Sequence, residues 1–180
     1  MTKTELFESN QIFLGKVIQV HVDKVLLPNG NQAVMEVIRH PGAAAVLPIT
    51  ADNEVILLKQ FRYATGDSIY EIPAGKIEPN EAPAQCAHRE LMEEAGVKAN
   101  QLTPMGWIWT TPGFTDEKIH LFAAQDLEPV PQKLEEDEIV SVHKLALRDA
   151  LRKAQRGEIN DAKSVCALLR LSMYIPSLVD

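Results

Sequence analysis

The chain has 180 residues, of which 46% are hydrophobic and 24% are charged, the proportions of an ordinary soluble globular protein. Its formal net charge of −7 argues against a nonspecific nucleic-acid binder, which would need a basic face. Two cysteines are too few for a disulfide framework, no apolar run approaches the ~18 residues of a membrane span, and the first residues lack a secretory signal. We therefore expect a cytoplasmic protein whose partners include neither membrane nor nucleic acid.

The N-terminal part of the chain has the pattern of a β-hairpin. Residues 12–27 alternate between apolar and polar types, which predicts a strand. Turn-forming residues occupy 28–31, and residues 32–38 can return as a second, antiparallel strand. His40-Pro41-Gly42 then interrupts the pattern. We place a domain boundary there, between a small N-terminal antiparallel β unit (1–40) and a main domain (41–180).

The main domain alternates strands with helices. Apolar runs predict buried strands at 43–49 and 55–60, and shorter patterns predict further strands at 68–73, 107–110, 119–124 and 139–144. A helix is predicted at 147–155. Asp161 can cap a last helix, whose inner side we expect to carry Val165, Leu168, Leu169 and Met173. This order predicts an α/β fold with a mixed sheet.

One short helix of the main domain carries an unusual group of charges. It follows the start signals at Pro79 and Pro83 and ends at Gly96, and Glu90, Glu93 and Glu94 share one of its faces at i, i+3 and i+4. Like charges this close repel each other unless a cation neutralises them.

Two interpretations of this helix are open. The carboxylates can bind Mg²⁺, which uses one or two carboxylates together with substrate phosphates, while Arg89 holds one carboxylate in a bidentate fork. Alternatively they form a solvated helix face. An apolar stripe of Ala84, Ala87 and Leu91 docks the helix, so we expect the acidic face to be one that the core does not cover. Cys86, on the same helix, is expected to pack and not to act as a nucleophile.

The spacing of these residues resembles the Nudix box, G-x5-E-x7-R-E-U-x-E-E-x-G-U, in which U is a bulky aliphatic residue. Every specified position is filled at the right spacing, by Gly75, Glu81, Arg89, Glu90, Leu91, Glu93, Glu94, Gly96 and Val97. The segments at 60–63, 71–75 and 111–118 further resemble the ADP-ribose pyrophosphatase branch, as does Pro112, fifteen residues beyond Val97. One departure is Met35, where relatives of this branch often place an arginine.

The resemblance implies an α/β/α sandwich and hydrolysis of the pyrophosphate in ADP-ribose or a related nucleoside diphosphate sugar. It also implies two or more Mg²⁺ ions per site, with Mn²⁺ as an alternative. The implied metal ligands are Glu90, Glu94 and the main-chain carbonyl of Ala74. Glu93 is either a further ligand or the residue that orients Arg89. Glu81 either joins the ligand set or is an exposed charge before the helix.

Other residues acquire roles from the same resemblance. In the acidic loop 135–138, Glu138 is the first choice and Glu136 the second for positioning or deprotonating water; the alternative is a solvated turn. Arg62 either contacts a phosphate or ribose or is a surface charge at a strand end. Glu71 either binds the sugar or base or pairs with a neighbouring cation. Two further substrate contacts are Pro112 and Phe13, which could stack on adenine or belong to the core.

The expected assembly is a homodimer, because the N-terminal β unit is too small to be stable alone and completes a dimer in relatives. Two rival functions stay open. One is a house-cleaning pyrophosphatase for damaged nucleoside triphosphates, and the other is a non-catalytic nucleotide-binding module that regulates a partner. The N-terminal extension and the Pro112 loop favour a nucleoside diphosphate sugar over a triphosphate, and the complete set of box glutamates argues against the non-catalytic module.

Overall fold

A computed structural model describes residues 3–134, 136 and 139–174. The strands are β1 Glu5–Leu14, β2 Gln19–Leu26, β3 Gln32–Arg39, β4 Ala43–Pro48, β5 Glu54–Arg62, β6 Asp67–Glu71, β7 Ala74–Lys76, β8 Val97–Trp109, β9 Lys118–Pro129 and β10 Val140–Ala146. The helices are α1 Pro83–Ala95, α2 Leu147–Gln155 and α3 Ala162–Tyr174, with a short 3₁₀ turn at Tyr63–Thr65. No helix in this described part of the chain is long and apolar enough to cross a membrane.

Contacts divide the chain into two compact units. The first unit is the chain up to Gly42 together with Trp109–Lys118, and the second is Ala43–Ile108 together with the chain from Ile119 onwards. The segment Trp109–Lys118 therefore belongs with the N-terminal residues, although in the sequence it lies inside the predicted main domain. Such a segment could not be assigned from local patterns, because only tertiary contacts reveal it.

The first unit contains an antiparallel sheet in the order β1-β2-β3. The predicted single strand at 12–27 is wrong, because a turn closed by Gly15 N–H donating to the Ile18 carbonyl (2.9 Å) separates β1 from β2. The predicted return strand is confirmed as β3, after a turn in which Gly30 has a φ of 85°. Strand β1 lies at the sheet edge and is exposed along its whole length.

Ion pairs join Trp109–Lys118 to this sheet. The Arg39 guanidinium contacts Asp23 on β2 (2.5 Å) and Asp116 (3.1 Å), and the Ile38 N–H donates to the Phe114 carbonyl (2.7 Å). Asp23 is buried, so the charge of Arg39 is needed there to avoid an uncompensated carboxylate. Arg39 therefore links two parts of the unit that are far apart in sequence.

The second unit is an α/β/α sandwich, as predicted. Its sheets have the orders β10-β5-β6, which is antiparallel, and β7-β4-β9-β8, in which β4 and β9 are parallel. Alternate residues of buried β4 pack on opposite sides: Ala45 and Leu47 contact the α2 and α3 side, whereas Ala44 and Val46 contact the α1 side. Helices therefore cover the sheets on both sides, which explains why β4 is apolar throughout.

Most predicted elements of this unit are confirmed, and α2 has the predicted bounds. Strands β8 and β9 are much longer than predicted, because sheet pairing continues through polar residues that no apolar pattern marks. The predicted inner side of α3 is partly wrong: Leu168 is fully buried, but Leu169 and Met173 are 54% and 70% exposed. Ser164, Leu168 and Leu171 are spaced to share the buried face, from which Leu169 is turned by ~100°.

We expect Leu168→Ala and its neighbour Leu169→Ala to differ sharply. Truncating the fully buried Leu168 should lower the free energy of unfolding by ~2–5 kcal/mol, because it removes apolar contacts and leaves a cavity. Truncating the exposed Leu169 should change it by at most ~0.5 kcal/mol. Urea denaturation of both variants measures the difference; equal losses would contradict the orientation of α3.

Candidate functional site

Helix α1 has a defined start and end, and its C-terminal end is bonded to another chain segment. It begins with Pro83, where no N–H bond is lost, and ends at Gly96, whose φ of 65° suits glycine. The carbonyls at its C-terminal end, which have no partner within the helix, are satisfied by the segment after β9. Lys133 N–H donates to the Glu93 carbonyl (3.0 Å), and the Gln132 side chain donates to the Glu94 carbonyl (2.5 Å). The backbone that carries the glutamates of α1 is therefore fixed by hydrogen bonds.

Arg89 is the centre of the carboxylate cluster. Its guanidinium binds Glu81 through two hydrogen bonds of 2.8 and 3.0 Å, and its Nη1 also contacts Glu90 (2.5 Å) and Glu93 (3.1 Å). The predicted bidentate fork is thus present. These hydrogen bonds, led by the one to Glu81, raise the pKa of Arg89. One arginine therefore offsets the repulsion among three neighbouring carboxylates.

Glu81 lies before α1 and has a structural partner. Its side chain is 13% exposed, so the exposed-charge alternative is wrong. The hydrogen bond from Arg89 lowers its pKa from the ordinary 4.5 to about 2, against the opposing effect of burial. Glu81 therefore stays ionised at neutral pH and anchors Arg89.

Glu90 and Glu94 are buried, at 8% and 3% exposure, which corrects our expectation that the acidic face would be left uncovered by the core. The cause is the segment that forms β7. The Ala74 N–H donates to Glu94 Oε2 (2.8 Å), and a Cβ added at Gly75 would lie 1.8 Å from Glu90 Oε1. Only glycine allows this approach, which is a direct steric reason for glycine as the first residue of the motif.

Cys86 packs beneath this cluster and is not activated. Its Sγ lies 3.4 Å from the Gly75 carbonyl oxygen and the residue is fully buried. Burial, followed by the negative charges of Glu81 and Glu90, raises the pKa of the thiol to about 12. Because the thiolate is the nucleophilic form, the expectation that Cys86 packs agrees with this environment.

A second charged cluster surrounds Glu71 at the end of β6. Arg62 forms a bidentate pair with Glu71 (2.7 and 2.9 Å), and Lys163 from α3 donates to Glu71 Oε2. Burial acts to raise the pKa of Glu71, but the hydrogen bond from Arg62 and the charge of Lys163 outweigh it and the pKa is lowered. Pairing with a neighbouring cation, one of the two alternatives for Glu71, is therefore present.

The two clusters influence each other electrostatically. The pKa of Arg62 is raised chiefly by its hydrogen bond to Glu71, against desolvation, and further by the charges of Glu71 and Glu94. Lys163 was missed by the sequence analysis, which recognised only Asp161 as the cap beside it. No local signal distinguishes a lysine that folds inward from one that points to water.

The remaining predicted residues fall in different places. Phe13, on β1, is 54% exposed, so the core alternative for it is wrong. Pro112 lines a cavity of about 390 Å³ in the first unit, beside Met35, Trp109 and Phe114. Glu138 lies outside the described residues, and Glu136 is exposed.

Both flanks of the acidic loop are anchored near the site elements. The flank before it is bonded to Glu93 through the Lys133 N–H, and the flank after it is bonded to β5, since Phe61 N–H donates to the Ile139 carbonyl (3.1 Å). The described residues on either side of 135–138 are therefore bonded to the end of α1 and to β5.

The described residues include no group of three or more His, Cys, Asp and Glu side chains in a ready arrangement for a metal ion. Arg89 accounts for this in part, because it is hydrogen-bonded to both Glu90 and Glu93. The oxygen donors of Glu90 and Glu94 nevertheless have the chemistry that Mg²⁺ prefers, and the close approach of Gly75 leaves the Ala74–Gly75 backbone beside them.

These features define a class of protein: an α/β/α sandwich in which one short helix carries buried glutamates, ordered by an arginine, against a glycine-containing strand. The model of the NUDIX domain family matches residues 39–168. The chain belongs to the Nudix family, as its box predicts.

Individual relatives cover nearly the whole chain. A protein of Bacillus subtilis (strain 168) named ADP-ribose pyrophosphatase is 45% identical over 165 residues, which cover 91% of this chain and 89% of the relative. A Bacillus methanolicus protein named methanol dehydrogenase activator is 42% identical over 92% of this chain and 91% of its own length. A crystal structure of an ADP compounds hydrolase matches with a TM-score of 0.85 at 24% identity, covering 98% of this chain and 96% of that chain.

The ion pair of Glu81 should make stability depend on pH. Because its folded-state pKa is about 2, below the ordinary 4.5, the ionised carboxylate stabilises the folded protein above pH 4.5, and this contribution is lost as the pH falls towards 2. Glu81→Gln should therefore flatten the fall in unfolding free energy over that interval. Urea denaturation at pH values between 2 and 5 measures the slope; unchanged slopes would contradict the pairing.

Proposed function

We propose that this Nudix pyrophosphohydrolase cleaves the pyrophosphate of ADP-ribose or a related nucleoside diphosphate sugar, giving a nucleoside monophosphate and a sugar phosphate. The observation that carries the proposal is the buried pair Glu90 and Glu94 on α1, held against Ala74 and Gly75 and ordered by Arg89. The relative named ADP-ribose pyrophosphatase supports the substrate class.

In this proposal Glu90, Glu94 and the Ala74 carbonyl hold Mg²⁺, or Mn²⁺ in its place, with two or more ions per site. When bound, the ions neutralise the pyrophosphate oxygens and lower the pKa of an attacking water. Glu93 is a further ligand or, as its 3.1 Å contact suggests, a partner that orients Arg89. Arg89 itself fixes the direction of the Glu90 carboxylate, since it donates to Oε1.

Water is positioned by the acidic loop 135–138 in this proposal, with Glu138 as first choice and Glu136 as second. The support is the anchoring of both loop flanks, one to the Glu93 carbonyl and the other to β5. A carboxylate close to metal ions has little intrinsic basicity, so its task is mainly to orient the water.

Substrate contacts are assigned to Arg62, Phe13 and Pro112, whereas Glu71 acts through Arg62. Arg62 is half-exposed and can offer part of its guanidinium to a phosphate while Glu71 holds the remainder. Glu71 is only 2% exposed, and both its oxygens already accept hydrogen bonds, so its contribution is to position Arg62. Phe13 is exposed and Pro112 lines a cavity with two aromatic residues, as a base or sugar contact requires.

A screen of nucleoside diphosphate sugars and nucleoside triphosphates with Mg²⁺, scored by product identity, tests this function. We expect ADP-ribose to give AMP and ribose 5-phosphate. Preferential hydrolysis of triphosphates would favour the house-cleaning alternative. The relative named methanol dehydrogenase activator supports a regulatory role as a second candidate, which predicts activation of a dehydrogenase that survives loss of hydrolysis.

Glu94→Gln should reduce kcat by ~10²-fold or more, because the charge needed for the metal is removed while the shape of the side chain is kept. Glu90→Gln should have the same effect. Glu128→Gln, in which the exposed partner of Lys98 is changed, is the matched control and should keep full activity. Near-normal turnover of both site variants at saturating Mg²⁺ would refute the ligand assignment.

Within the acidic loop, Glu138→Gln should lower kcat far more than it raises KM, because orientation of the water belongs to the transition state. Glu136→Gln should be milder. A loss confined to Glu136→Gln would move the role within the loop. If neither variant affected kcat, the loop would be a solvated turn, and Glu93 would be the next candidate.

The protein is further proposed to be a homodimer formed through its N-terminal unit. Strand β1 lies at a sheet edge and carries five apolar side chains that are each more than half exposed, Leu6, Phe7, Ile12, Phe13 and Leu14. Exposed apolar side chains along an edge strand are typical of a protein–protein interface.

Light scattering should give a mass near twice the 20.0 kDa of one chain. Ile12→Lys should lower this mass, because it places a charge among the exposed apolar side chains of β1. Thr4→Lys, just outside β1, should leave the mass unchanged. Deleting residues 1–40 should yield a weaker, aggregation-prone enzyme. A fully active monomer at micromolar concentration would contradict the dimer.

A further inference from the structure

The first turn of α3 binds the segment that leads to the glutamate helix. Ser164 Oγ accepts a hydrogen bond from the Ile72 N–H (2.8 Å), and Lys163 Nζ donates to Glu71 Oε2. Asp161 holds the Lys163 and Ser164 side chains in place, since its carboxylate accepts hydrogen bonds from Lys163 Nζ (3.0 Å) and from the Ser164 hydroxyl (2.5 Å). We call Asp161, Lys163 and Ser164 the α3 clamp.

The clamped segment continues directly into the candidate site. Pro73, whose ring restricts φ, follows Ile72, and its carbonyl accepts from the Val46 N–H of β4 (2.9 Å). The next residue is Ala74, whose N–H donates to Glu94, and Gly75 lies against Glu90. Three separate elements, α3, β4 and α1, therefore fix five consecutive residues.

Burial makes this arrangement more than a surface contact. Ser164 is fully buried, and Lys163 is 9% exposed although it carries a charge. A buried ion pair contributes little net stability compared with apolar packing of the same volume. What its directional hydrogen bonds do supply is a defined position for the groups they join, here Glu71 and the backbone that follows it.

We propose that Lys163 and Ser164 are positioning residues for the hydrolytic site. They hold Glu71 and Ile72 so that Ala74 meets Glu94 in the geometry that the proposed metal site requires. This inference rests on the proposed function, and it adds that the first turn of α3 controls the metal-binding backbone. Misplacement of catalytic groups by about 1 Å can cost ~10²-fold in rate, so even a small displacement is measurable.

The test uses Lys163→Met, Lys163→Arg and Ser164→Ala in the full chain. Lys153→Met is the matched control, because it removes an ion pair of Lys153 with Glu158 that lies outside the clamp. The first readout is amide hydrogen exchange by NMR in metal-free protein. Loss of the clamp should accelerate exchange of the Ala74 amide by about 10-fold or more, while the amide of Leu121 in buried β9 keeps its wild-type rate.

The second readout is hydrolysis of ADP-ribose. Lys163→Met and Ser164→Ala should lower kcat by about 10-fold and raise the Mg²⁺ concentration for half-maximal activity. Ser164→Ala, which leaves the pair of Arg62 and Glu71 intact, should change KM for ADP-ribose by less than about twofold. Lys163→Arg, unlike Lys163→Met, should keep the wild-type exchange rate of the Ala74 amide and the wild-type Mg²⁺ requirement, because it keeps a charged donor.

Three results would overturn the proposal. They are an unchanged Ala74 exchange rate in both clamp variants, equal acceleration at Leu121, which would indicate general destabilisation, and failure of Lys163→Arg to restore protection. Failure of the proposed function looks different: wild-type protein would leave ADP-ribose intact, yet the exchange experiment would still report whether α3 fixes Ala74.

Discussion

The contact between Arg89 and its surrounding carboxylates is the interaction on which the site depends. Glu81, Glu90 and Glu93 would repel one another, and Glu90 is also buried, where an uncompensated charge is most costly. A single planar guanidinium can satisfy all three because its donors point in several directions. A lysine at this position would present one point charge and could not make the same set of contacts.

The second constraint is steric and acts from the opposite side. Gly75 lies so close to Glu90 that any side chain would collide with the carboxylate, and Ala74 uses its backbone N–H on Glu94. The glutamates are thus held between a helix and a strand. Burial of these charged groups costs stability, and the surrounding fold compensates through the apolar layers on both sides of β4.

A large part of the second unit could be predicted because its signals are local. The apolar runs gave β4 and β5, the Pro83 and Gly96 signals bounded α1, and α2 was predicted residue for residue. Prediction failed where strand pairing or side-chain orientation depends on residues that are far away in the sequence. Strands β8 and β9 extend through polar residues, the turn at Gly15–Ile18 divides a seemingly continuous strand, and Leu169 points outwards.

By itself, the sequence determined the set of glutamates with Arg89, because spacing along a helix fixes which side chains share a face. The resemblance of that set to the Nudix box then implied the family and the sandwich architecture. Only the tertiary structure decided that Glu90 and Glu94 are buried, that Glu81 serves Arg89, and that Lys163 turns inward to Glu71. The physical reason is range: helix periodicity acts over a few residues, whereas burial and ion pairing join groups up to 92 positions apart.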